Sequence, residues 1–223
     1  MRWIKGSTVL AFALCAAAPQ AQEQKVTADA VISELKAGNE HHVSKQYRRP
    51  NQTVARQREL AANQHPHAAI LTCADSRVPP EIIFDQGLGD LFDVRVAGNV
   101  AADAEVASLE YAAEHLDVPL IVVMGHQKCG AVSAAAEAGT PPGHLPTLVD
   151  LIKPAVTAAT KLPGDRIENA VRINVENTVR QLRAEKPILE GLCAKGHLRV
   201  VGAVYSLDTG KVAWLPDQKT SPK

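Results

Sequence analysis

Two short, largely apolar runs organise the chain: Ala68-Ala69-Ile70-Leu71-Thr72 and Leu120-Ile121-Val122-Val123-Met124, each followed at once by polar, turn-forming residues. Runs of this length with such endings read as buried strands, over about 68–73 and 119–125. Leu91 to Val96 reads as a third strand, entered through Gly87 and Gly89. Between them the period changes to helical. Ala102 to Leu116 places Val106, Leu109, Ala113 and Leu116 along one face, and 165–184 does the same with Ile167, Val171, Val175, Thr178 and Leu182. Thr27 is a helix N-cap, with Gly38-Asn39 as the expected stop and a polar, extended stretch through Pro50 beyond it. Val54 to Asn63 and about 147–160 are further helices. Pro79-Pro80-Glu81 suits a helix start, and Cys129-Gly130 opens another. Leu198 to Leu207 and Lys211 to Leu215 form a hairpin about Asp208-Thr209-Gly210. Strands alternating with helices predict an α/β fold: a single domain with a mostly parallel central sheet flanked by helices and a C-terminal edge hairpin.

The chain has 223 residues, enough for one well-cored domain, and 46% of them are hydrophobic. Lys+Arg and Asp+Glu are both 24, and a balance of this kind argues against a nucleic-acid partner or an anionic membrane. Arg2 and Lys5 precede an uncharged apolar stretch from Val9 to Ala18, with small residues to Ala21. That is the pattern of a secretory signal peptide over 1–21, leaving a domain over 22–223 that is exported, to the periplasm, without a stable membrane anchor. Cys15 hints at a lipoprotein signal, but Leu14 before it is too large. Removal of the signal leaves Cys73, Cys129 and Cys193, which cannot all pair within one chain.

Both principal strands end in chemistry. The first runs into Cys73-Ala74-Asp75-Ser76-Arg77, the second into His126-Gln127-Lys128-Cys129. Open α/β sheets place ligands at the carboxyl ends of their strands. Two thiolates and an imidazole meeting there make a zinc site, with a carboxylate or water as fourth ligand. A disulfide, or simple burial of each side chain, is the alternative for each motif taken alone. Cys193 reads as packing. Asp75, two residues beyond Cys73, can accept a hydrogen bond from an oxygen on the metal, and Arg77 can hold Asp75 ionised in a charge-assisted pair. His41-His42 and His65-x-His67 are expected in solvent rather than in a second metal site.

The paired motifs resemble those of the β-class carbonic anhydrases, as do Arg95-Val96-Ala97-Gly98-Asn99, Glu110-Tyr111-Ala112 and Gly202-Ala203-Val204-Tyr205. The likeness spans about residues 27–215. It implies one zinc per chain on Cys73, His126 and Cys129, and reversible hydration of carbon dioxide to bicarbonate and a proton by a zinc-bound hydroxide that Asp75 and Arg77 orient. Asp75 would become the fourth ligand in a closed state. Gln64, Phe92, Ala97, Tyr111 and Gly130 would bind substrate, and His115 is a candidate proton shuttle. Without the resemblance, Phe92, Ala97 and Tyr111 read as core, and Gly130 as a close helix–strand approach. The resemblance further implies a homodimer or higher homo-oligomer with active sites at the interface and N-terminal helices reaching over the partner. Members with a bicarbonate switch carry Trp, Arg and Tyr. Arg95 and Tyr205 match, but Ile70 stands at the Trp position, so a mostly open site without that switch is expected. Hydrolysis of carbonyl sulfide or carbon disulfide on the same scaffold, and a purely structural zinc, are the rivals.

Overall fold

A computed structural model describes residues 26–217; the segment 1–21, expected to be a signal peptide, lies outside them. Five strands form one sheet: β1 (Ala68–Thr72), β2 (Leu91–Arg95), β3 (Leu120–His126), β4 (Arg199–Tyr205) and β5 (Val212–Trp214). Their spatial order is β2-β1-β3-β4-β5, parallel throughout except for the antiparallel β4–β5 pair. The runs of β1 and β3 are continuous rather than alternating because both of their faces are covered, and every residue of both strands is buried.

Among the described residues eight α-helices enclose the sheet: α1 (Ala28–Ser44), α2 (Val54–Glu59), α3 (Pro80–Ile83), α4 (Asp103–His115), α5 (Gly130–Ala136), α6 (Leu145–Ala159), α7 (Arg166–Ala184) and α8 (Ile188–Ala194). One sheet face packs Ile70, Val122, Met124 and Tyr205 with Val31 and Leu35 of α1 and Ile152 of α6. The other packs Leu71, Ile121 and Val123 with Leu109 of α4, Val175 and Leu182 of α7 and Leu189 of α8. Among the described residues no helix is long and apolar enough to cross a membrane.

Several boundaries differ from expectation. Thr27 does cap α1, accepting from the Ala30 amide at 3.3 Å, but Gly38-Asn39 does not end the helix. Gly38 is there for close approach: a Cβ at that position would lie 1.7 Å from the Phe84 carbonyl oxygen. Asn39 is buried and bonds across the fold, donating to Ile83 O and Gly210 O and accepting from the Val212 amide. A local stop signal was therefore a tertiary contact. The helix carries on through His41 and His42, which the sequence placed in an extended, solvated stretch. His42 is buried, its ring between the hydroxyls of Tyr47 (2.8 Å) and Tyr205 (3.0 Å). His41 pairs with Asp85 at 2.9 Å. His65 is exposed as expected, but His67 is half-buried, 3.6 Å from Glu34. Helix α2 stops at Glu59 rather than Asn63, and α8, which carries a half-buried Cys193, had no clear sequence signal.

Candidate metal centre and a separate cleft

Register brings the two motifs together. Thr72 stands beside Met124 in the β1–β3 pairing, so Cys73 and then His126 leave the sheet at the same edge. The Thr72 hydroxyl donates to Met124 O at 2.8 Å and ties the two exits. Beyond β3, Lys128 takes a left-handed backbone (φ 53°), which turns the chain so that Cys129 sits at the mouth of α5. The donor atoms of Cys73, His126 and Cys129 lie within 4.8 Å of one another, and all three residues are buried.

The protonation pattern suits a cation. His126 Nδ1 lies 2.8 Å from the Gln127 carbonyl, which can only accept, so Nδ1 carries a hydrogen and Nε2 is the nitrogen left for a metal. That Nε2 is buried without a partner, an orphan that a metal ion would satisfy. Next to Cys129, and against burial, the Cys73 thiol is pulled down to about 4, helped by His126 and by the Gly98 and Asp75 amides. Cys129 is pushed up by its closeness to Cys73 and by burial. Burial opposes a charged His126, but the Cys73 sulfur outweighs it and raises the imidazole. Cys73 is thus the readier thiolate of the two, and a divalent cation would release the proton that stays on Cys129.

Beside the cluster, Asp75 is fully engaged by Arg77. The Arg77 amide and Nε donate to Oδ1, each at 2.9 Å, and Nη2 donates to Oδ2 at 2.7 Å. This guanidinium holds the Asp75 carboxyl well below the usual carboxylate range. Oδ2 is also 3.8 Å from His126 Nε2, so the carboxylate flanks the donors while bound elsewhere. Arg95, exposed at the end of β2, clamps the first motif from behind, donating to Cys73 O at 3.2 and 3.1 Å and to Asp75 O at 2.7 Å.

A second cluster lies apart from these donors. Gln64, Tyr111 and His115 line an open cleft of about 620 Å³ between the segment after α2 and the end of α4. The Phe92 ring lies 6.2 Å and the His115 ring 5.3 Å from that of Tyr111, centre to centre. Tyr111 is 47% exposed, so core packing does not explain it. Ala97 is half-buried. Gly130 is exposed, with nothing within 4 Å of where a Cβ would stand, so no close helix–strand approach demands a glycine there.

The comparisons with known proteins agree with the centre. The carbonic anhydrase family model matches residues 68–212. The chain belongs to this family. Carbonic anhydrase 2 of Mycobacterium tuberculosis is 45% identical over 181 residues, covering 79% of this chain and 87% of the relative. A Mycolicibacterium smegmatis carbonic anhydrase is 40% identical, covering 80% and 88%. Among solved structures, a Coccomyxa β-carbonic anhydrase in complex with acetazolamide superposes with TM-score 0.65 at 30% identity, over 84% of this chain and 82% of that one. A tetrameric β-carbonic anhydrase from Sordaria macrospora gives 0.66 at 25%, over 84% and 94%. This protein is thus a β-class carbonic anhydrase with a Cys-His-Cys donor set suited to zinc.

Proposed function

We propose that this carbonic anhydrase hydrates carbon dioxide reversibly to bicarbonate and a proton, with one zinc ion held by Cys73, His126 and Cys129 and the attacking oxygen oriented by Asp75 and Arg77. The observation that carries this is the orphaned His126 Nε2 grouped with two thiol sulfurs, with a salt-bridged carboxylate 3.8 Å away. When bound, zinc supplies a Lewis acid that makes hydroxide available near neutral pH. Two thiolates weaken that acidity relative to imidazoles, so the remaining work falls to the chain.

Asp75, kept ionised, is an acceptor only. It takes the hydrogen bond of the attacking oxygen and leaves that oxygen's lone pair aimed at the substrate carbon. Arg77 fixes the direction of the carboxylate and, with three hydrogen bonds, keeps it from swinging onto the metal as a fourth ligand, the closed state. Gln64 donates to the substrate oxygen, while Phe92, Ala97, Tyr111 and Gly130 form the apolar recess that a molecule without a net dipole requires. His115, largely exposed beside Tyr111, passes the proton to solvent. A bicarbonate switch is disfavoured: Ile70 is buried in the core, Tyr205 is bonded to His42, and Arg95 is spent on two carbonyls. Catalysis proceeds in a homodimer or larger assembly, in which the cleft of one chain completes the donors of another and α1 reaches over the partner. The exposure of Tyr111 and the tetrameric state of the Sordaria relatives support this. Export to the periplasm rests on the pattern of residues 1–21.

Stopped-flow hydration of carbon dioxide over pH 6.5–9, on protein holding one zinc per chain, tests the assignment. Turnover far above buffer background, rising with pH, is expected. Absence of turnover at pH 9 with zinc in place would sink it, and carbonyl sulfide and carbon disulfide would be tried in its stead.

A further inference from the structure

We propose that Asn174 of α7 is a positioning residue for the metal centre: it holds the Gly98 peptide in the conformation that lets the Gly98 N–H donate to the Cys73 sulfur. The proposal rests on the zinc assignment above and adds a residue lying outside both ligand motifs.

Gly98 sits in a tight turn at Ala97–Asn99, with φ 76° and ψ 12°, and its amide lies 3.3 Å from Cys73 Sγ. Only glycine serves there, since φ is positive and a Cβ would lie 2.5 Å from Ile152 Cδ1. Yet glycine is also the residue freest to leave such a conformation. The hydrogen bond to sulfur therefore needs an external hold on the turn. Asn174, 3% exposed, supplies it, its Nδ2 donating to Gly98 O at 2.8 Å. Farther along the same stripe of α7, Thr178 reaches Asn99 O at 3.5 Å and Gln181 Nε2 reaches Ala101 O at 2.8 Å. At the helix start Glu168 accepts from the Lys128 amide at 3.1 Å, so one rigid helix grips the loops behind both motifs.

Apolar burial alone gives no reason for an amide at position 174. It lies among Ala170, Val171 and Val175 on the buried face of α7, where leucine would pack without a hydrogen-bond requirement. What leucine would lack is the hold on Gly98. An N–H donated to a ligating sulfur withdraws electron density and makes the thiolate a weaker donor, which leaves the metal a stronger Lewis acid. In a site with two thiolates, that is the direction catalysis needs.

The test uses the full chain loaded with cobalt(II) in place of zinc, read by its sulfur-to-cobalt charge-transfer absorption. Wild-type protein should bind one cobalt per chain and show the band; its absence would overturn both the metal site and this proposal. Asn174→Leu should move the band to lower energy, because the freed sulfur donates more strongly. Asn174→Ser, too short to reach Gly98 O, serves if the leucine variant does not fold. Gln181→Leu removes a bond of the same 2.8 Å length from a more exposed position on α7 and should lower the melting temperature with the band unmoved. A band unchanged in the Asn174 variants, or displaced equally by Gln181→Leu, would overturn the positioning role while leaving the metal site standing.

Discussion

Cys73, His126 and Cys129 are at most 4% exposed, tied to the sheet by register and completed within one chain, whereas Tyr111 is 47% exposed and lines an open cleft with Gln64 and His115. The donors need rigid placement before any ligand arrives, because the arrangement of two sulfurs and one imidazole must not depend on the substrate. A recess for a small apolar molecule has a different requirement. It must be dry when in use, and an exposed aromatic face becomes dry only when something covers it. Under the proposed function this contrast is a division of labour, in which each chain builds its own metal centre and a second copy completes the recess.

The strongest way to break that comparison is to remove a donor. His126→Ala should leave zinc well below one per chain and lower kcat/KM on the order of 1,000-fold or more, since no other group supplies the hydroxide. Retention of both by the variant would mean that the buried cluster is not the centre. Arg77→Ala should leave zinc content unchanged yet reduce kcat by roughly 100-fold, the scale of a lost orienting contact. Full activity in that variant would reduce the Asp75–Arg77 pair to a surface salt bridge.

Tyr111→Ala sharpens the comparison from the other side, with an expected loss of about tenfold in kcat/KM from the recess and no change in zinc. Mixing it with Cys73→Ser subunits asks whether a site is shared. A mixed dimer then holds one site whose donors and Tyr111 are both intact, provided they come from different chains. Recovered activity supports the shared site, while none above the Tyr111→Ala level argues for a site within one chain.

The smallest effect concerns Asp93 on edge strand β2. Burial, reinforced by the neighbouring Glu81, pushes its carboxyl up to about 8, and one oxygen is buried without a hydrogen-bond partner. A folded pKa above the unfolded value near 4 gives stability that is complete at acid pH and lost as pH rises toward 8. Asp93→Asn should therefore be more stable than wild type at pH 8.5, by about 1–3 kcal/mol, and no more stable at pH 4, as chemical denaturation would report. An equal effect at both values would mean that folding does not shift the Asp93 carboxyl. Because β2 is one of the two edge strands of the sheet, a pH dependence that disappears on assembly would also place this strand at the contact between copies.

Strands β1 and β3, the helix over 103–115 and the final hairpin were all legible from local pattern, because their apolar periods reflect burial on the faces they cover. Both ligand motifs were legible too, since each is contiguous and follows a strand. Elsewhere the same local rules misled. Gly38-Asn39 reads as a helix stop and serves instead as a close approach and a three-way hydrogen-bond anchor. His42 reads as a solvated residue of a polar stretch and is buried between two tyrosines. Tyr111 reads as core without the family likeness and is exposed. Asn174 and Glu168 carry no local signal at all: they lie about 100 residues from Cys73 and reach its surroundings only through folding.

Pattern and spacing alone were enough to determine a parallel α/β domain with two strand-exit motifs carrying two sulfurs, one imidazole and an Asp–Arg pair. Strand identity and face follow from nearest-neighbour chemistry along the chain, which a sequence records directly. The gathering of those donors within 4.8 Å, the orphaned Nε2 and the grip of α7 on the Gly98 turn came from tertiary structure alone. They depend on β1–β3 register and on a helix packed from far along the chain, and no local periodicity encodes the distance between residues that only folding makes neighbours.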